Sequence, residues 1–151
     1  MRGHDAARRP PLAVVSAEPG RRQARRAALV LLYQHDVAGR PVAELAERYR
    51  QDTRGPVPEY TRELVEGVLR DREALDMVIG EHARGWSPER ISPIERAALR
   101  IATYELTTGD VPPSVAIDEA VRLSKRYASP EASTFVNGVL GATARALGVG
   151  H

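Results

Sequence analysis

From residue 21 onward, apolar residues recur at every third or fourth position along almost the whole chain, and no segment alternates convincingly with period two. The first spacing puts apolar side chains on one side of an α-helix, and the second is what a half-buried strand needs. The stripes include Ala24, Ala28, Leu31 and His35, then Val42, Leu45, Ala46 and Tyr49, then Leu64, Val65, Val68 and Leu69. Further on come Ala98, Ile101, Ala102 and Glu105, then Ala116, Ala120, Leu123 and Tyr127, then Val136, Leu140, Thr143 and Leu147. The pattern predicts an all-α fold.

Proline and glycine set the boundaries. Gly39 suits a helix C-cap, and Pro41 and Pro58 suit helix starts. Ser87–Pro88, Ser92–Pro93 and Ser129–Pro130 each read as an N-cap followed by a first-turn proline, and Ser92 to Glu95 has capping-box spacing. Gly85, Gly109 and Pro112–Pro113 end helices. The stretch 58–84 reads equally as one long helix or as two broken at Arg70–Asp71–Arg72. The sum is six to eight helices in two bundles of about three each. Residues 1–20, with three prolines and no periodicity, read as a disordered arm. Residues 21–151 read as a single helical domain, with halves at 21–86 and 87–148 that meet in "RGWSPERISPIER".

The chemistry available is narrow. The chain has 151 residues and no cysteine, which excludes disulfides, thiolate nucleophiles and the common structural zinc sites. No apolar run approaches the roughly 18 residues of a membrane span, and a cytoplasmic protein is expected. G-x-S-x-G, H-E-x-x-H and the phosphate-binding G-x-x-x-x-G-K-[ST] are all missing. The four histidines at 4, 35, 82 and 151 are scattered. Asp118 and Glu119 are adjacent on a helix and diverge by about 100°, so they read as a solvated face rather than an acid–base pair. Neither catalysis nor a metal or other cofactor is expected. Gly138 and Gly141 lie inside a helical pattern, where glycine is costly, and they read as the mark of a close helix crossing.

Charge is distributed unevenly. Residues 1–26 carry seven arginines against two acids, a net +5; residues 27–119 carry −6; residues 120–151 carry +3. A polyanion would be met by the two basic ends if the fold joins them. The stretch "RRQARRAALVLLYQ" (21–34) belongs to both readings at once. On a wheel centred on Ala24, Ala28 and Leu31, Arg22 and Arg26 point away from the core. Arg25 lies on the flank and Arg21 nearer the buried edge. The planar guanidinium suits bidentate phosphate contact, and a solvated side chain is the plain alternative for each.

"SVAIDEAVRLSKRYASPEASTFVNGVLGA" (114–142) resembles the C-terminal signature of the NusB family. "IERAALRIATYEL" (94–106) is similar to the segment before it, and "RRQARRAALVLLYQ" to the family's Arg-rich first helix. The likeness is weaker between residues 41 and 85. It implies an all-helical fold of two three-helix bundles and a non-catalytic transcription antitermination factor. Such a factor binds the boxA element of nascent ribosomal RNA leader transcripts together with NusE, a small-subunit ribosomal protein, within the RNA polymerase antitermination complex. The implied RNA-binding residues are Arg21, Arg22, Arg25, Arg26, Lys125, Arg126, Glu131 and Phe135. The implied protein-partner residues are Tyr33 and Glu95. Alternatives stay open at this point: Phe135 as a base-stacking ring or a core ring, Glu95 as a partner contact or a capping residue. Asn137 is expected to bond backbone at a helix junction. Thr134 departs from the family, standing where many relatives carry a basic residue. Monomer and homodimer both fit. A helical protein-interaction module with incidental basic ends is the runner-up, and a helix-turn-helix DNA binder lacks a basic recognition helix.

Overall fold

The computed structural model describes residues 19–85, 87 and 90–149. Among them are seven helices and no strand: α1 (Pro19–Ala38), α2 (Val42–Thr53), α3 (Glu59–Arg70), α4 (Arg72–His82), α5 (Pro93–Thr108), α6 (Pro113–Tyr127) and α7 (Pro130–Ala146). The expected arm, apart from its last two residues, and the proline of Ser87–Pro88 lie outside the described residues.

The punctuation acts as its chemistry requires. Ser92 and Ser129 cap α5 and α7, their hydroxyls accepting the backbone N–H of Glu95 at 3.3 Å and of Ala132 at 3.0 Å. Gly39 and Gly109 end α1 and α5 with φ of 69° and 75°, a left-handed conformation that glycine adopts without Cβ strain. The open question over 58–84 resolves to two helices. Asp71, at φ −102° and ψ 15°, steps out of helical geometry, while its N–H still reaches Gly67 O and its C=O still accepts from Leu75. The break is therefore a one-residue kink that redirects the chain without stranding backbone groups.

α5 is the central helix. It packs against α1, α3, α4, α6 and α7. Along it, Ala97 to Thr103 are buried without interruption, and Glu105 and Leu106 follow. A helix covered on most sides is apolar most of the way round, which is why its small residues, Ala97, Ala98 and Ala102, matter: they let neighbours approach. α1 packs on α2 and α3 to form one group, and α6 and α7 pack on α5 to form the other. α4 lies against α5 and α7, on the C-terminal side of the molecule. One apolar core, from Ala28 to Ala144, runs through both groups.

The glycine that marks a close crossing is Gly67, not Gly138 or Gly141. A Cβ at Gly67 would fall 2.3 Å from Tyr104 Cζ, so α3 meets α5 there through a missing side chain. Among the described residues a Cβ at Gly138 would meet nothing beyond its own helix backbone within 4 Å, and one at Gly141 would meet only the end of the Arg145 side chain, at 3.5 Å. Gly138 is a mid-helix glycine in open space, so Gly138→Ala should raise stability by up to about 1 kcal/mol through backbone entropy alone. Thermal melting checks this; a lower melting temperature would mean that the position is confined within the fold.

Candidate nucleic-acid interface

α1 divides its arginines between core and surface. Ala24, Ala27, Ala28 and Leu31 are buried, as the stripe requires. Arg22 and Arg26 are exposed. Arg25 is not on a wet flank: it is 1% exposed, and its Nε donates to Glu105 Oε2 at 2.8 Å. Tyr60 on α3 donates its hydroxyl to the same carboxylate oxygen. A guanidinium buried this deeply cannot reach a phosphate at the surface, so Arg25 is removed from the expected RNA-binding set. The helical wheel misplaced it because α3 and α5 widen the buried face of α1. Arg21 is intermediate: its guanidinium lies 4.0 Å from the centre of the Tyr60 ring, a cation–π contact that turns it inward.

This cluster ties α1, α3 and α5 together. Thr61, next to Tyr60, donates to Ala24 O at 2.8 Å. Burial pushes the Glu105 carboxyl above the usual carboxylate range, while Arg25 and the Tyr60 hydroxyl act against that. Burial first, and then the Glu105 charge, raise the Tyr60 phenol. Arg25 Nη1 and Nη2 and Glu105 Oε1 are buried without a hydrogen-bond partner among the described residues.

The two basic ends of the chain meet through Glu119. Its Oε2 lies 3.0 Å from Arg22 Nε and 3.7 Å from Arg122 Nε. Glu119 was expected on a solvated face with Asp118; Asp118 is exposed, but Glu119 is 6% exposed and buried under the two arginines. Lys125 and Arg126 close α6 and are exposed, with Arg126 5.3 Å over the Tyr127 ring.

α7 follows directly. Glu131 is exposed in its first turn, where a negative charge favours the helix N-terminus. Phe135 is half-buried and packs against the core, so its ring serves the fold as well as any ligand. Thr134 turns its hydroxyl back to Pro130 O at 3.2 Å. Asn137, expected to bond backbone, is exposed, and its side chain makes no hydrogen bond among the described residues. Its amide on the surface of α7, two residues from Phe135, is a feature that sequence reasoning missed, although its place beside Val136 on the helical stripe begun at Ser129–Pro130 was the signal that could have found it.

Tyr33 and Glu95 lie at the opposite end of α1 from the arginines. Arg96 on α5 binds Asp36 on α1 at 2.9 Å, which sets the start of α5 beside the end of α1. Tyr33 and Glu95 are both partly exposed there. Glu95 does serve its cap, and Ser92 Oγ also donates to Glu95 Oε2 at 2.9 Å. Among the described residues no three His, Cys, Asp or Glu side chains gather to hold a metal, and no helix is long and apolar enough to cross a membrane.

Comparison with known proteins finds relatives over most of the chain. A transcription antitermination protein NusB from Rubrobacter xylanophilus is 46% identical over 121 residues, covering 80% of this chain and 86% of that one. The corresponding protein of Saccharopolyspora erythraea is 44% identical over 133 residues, covering 86% and 88%. Among solved structures, the antitermination factors NusB and NusE in complex with double-stranded RNA include a chain that superposes with a TM-score of 0.76 at 33% identity. It covers 84% of this chain and 97% of that one. T. maritima NusB superposes at 0.73 with 32% identity, covering 83% and 90%. The profile described as NusB family matches residues 22–145. Its span begins at the arginine that Glu119 holds and takes in both the Arg22–Glu119 and the Arg25–Glu105 pairs: the chain belongs to the NusB family.

Proposed function

We propose that the chain is a non-catalytic, RNA-binding transcription antitermination factor. It takes up the boxA element of nascent ribosomal RNA leader transcripts together with NusE and supports processive transcription by RNA polymerase in the cytoplasm. The observation that carries this reading is the union of the two basic ends at Glu119. There Arg22 and Arg122 share one carboxylate oxygen, with Arg26 on α1 and Lys125 and Arg126 further along α6 also exposed. Arginines on such a surface contact phosphates and fix the register of a strand, while base edges and stacking supply the sequence preference. Phe135, Glu131 and the amide of Asn137 are the groups on α7 suited to that second task. Arg21 contributes from the edge, through its charge.

The NusE face is the other end of α1, where Tyr33, Asp36 and Glu95 gather. Asp36 is held there by Arg96, and the Glu95 carboxylate suits a basic ribosomal protein, whose own surface is adapted to RNA. Support comes from the names of the relatives and from the solved complex, in which a related NusB chain occurs with NusE and double-stranded RNA.

Fluorescence anisotropy of labelled single-stranded boxA RNA tests the proposal, with a scrambled strand and a duplex of equal length as competitors at one salt concentration. BoxA should bind more tightly than either competitor, and NusE should tighten it further. Equal, weak binding of all three RNAs with NusE present would reduce the surface to a basic patch and overturn the reading.

A further inference from the structure

Glu119 stands where a surface built for phosphate has least use for a carboxylate. It lies in the second turn of α6, buried to 6% exposure, beneath two arginine side chains that are 48% and 58% exposed. Both contacts are made by Nε, so the outer nitrogens of each fork stay available to a ligand. The two arginines come from opposite ends of the chain, 100 positions apart. A buried carboxylate needs a counter-charge, so it holds Arg22 in place before any ligand arrives. A pre-placed guanidinium loses less freedom on binding than a free one. The same carboxylate cancels part of the arginines' charge, and that weakens their pull on any phosphate whatever its sequence.

We propose that Glu119 is a positioning residue that sets RNA selectivity. It holds Arg22 and Arg122 as one rigid pair and restrains their general attraction for phosphate, so that binding depends on the bases. This rests on the RNA-binding reading above.

The test measures the affinity of the full chain for single-stranded boxA and for scrambled RNA in four single variants and one double variant. Glu119→Gln should weaken boxA binding about threefold and strengthen scrambled binding about threefold, with a steeper salt slope for the scrambled strand. Asp118→Asn, the same charge change at an exposed neighbour that makes no ion pair among the described residues, should shift both RNAs alike. Glu119→Asp keeps the charge and draws the carboxylate back by one methylene; it too should lower the boxA preference, and it carries the test if Glu119→Gln melts. Arg22→Ala should cost less in the Glu119→Gln background than in the native one. Additive effects, or a Glu119→Gln response that matches Asp118→Asn, overturn the positioning role alone. An Arg22→Ala variant that binds both RNAs normally overturns the RNA surface itself.

Discussion

Arg25→Met is expected to cost about 3–5 kcal/mol of folding stability, a fall in melting temperature of roughly 10–15 °C for a chain of this size. The loss comes from Glu105. With Arg25 gone its carboxylate keeps, among the described residues, the Tyr60 hydroxyl as hydrogen-bond donor and the weaker charge of Arg21, in a place where burial already pushes its pKa up. The penalty should depend on pH. A carboxyl whose folded-state pKa is raised binds its proton more tightly folded than unfolded. The penalty for burying its charge is therefore absent below the unfolded pKa of about 4.3 and largest above the raised folded value. Melting the variant at about pH 5 and pH 8 should show the larger deficit at the higher pH. The double change Arg25→Met with Glu105→Leu should recover most of the stability. It removes the unpaired charge together with the buried nitrogens and oxygen that have no hydrogen-bond partner among the described residues. A single variant as stable as the native chain at both pH values would mean that the pair contributes nothing, and a double variant no better than the single would place the cost in lost packing.

The same pair marks where reading the sequence succeeds and where it stops. Helix positions were legible because they depend on local spacing and on caps such as Ser92 and Ser129, whose partners lie three residues away. The kink at Asp71 was half legible, since a polar triplet permits a break without requiring one. Arg25 was not legible as a core residue, because its partners stand 80 and 35 positions away on two other helices. One signal was present: Glu105 sits on the apolar stripe of its own helix, and a carboxylate on a core stripe calls for a buried cation. Arg25, between Ala24 and Ala28, was the candidate to answer it. Glu119 is the same case on α6, where its neighbour Asp118 does face water. The glycines failed for a related reason. Gly67 and Gly138 look alike in sequence, and only the Tyr104 ring, from another helix, separates them. The basic surface was legible as charge, and its union across the chain ends was legible only as a condition that the fold had to meet.

Changing Arg26, Lys125 and Arg126 together to alanine should remove much of the salt dependence of RNA binding. Each phosphate contact on a single strand adds about 0.7 to the slope of log affinity against log salt, so three contacts amount to roughly a 20-fold loss between 50 and 200 mM. Arg22 is left out on purpose, because its ion pair with Glu119 changes along with any phosphate contact, and the double change with Glu119→Gln separates the two. The three chosen side chains are exposed and make no ion pair among the described residues, so melting should stay within about 0.5 kcal/mol of the native chain. The native and variant affinities should then converge as salt approaches 1 M, where phosphate contacts contribute little and the contacts to bases remain. A variant that keeps the native slope would take the phosphates off this face. One that loses affinity equally at every salt concentration would show these side chains acting on the bases instead, and the division of labour between α6 and α7 would have to be redrawn.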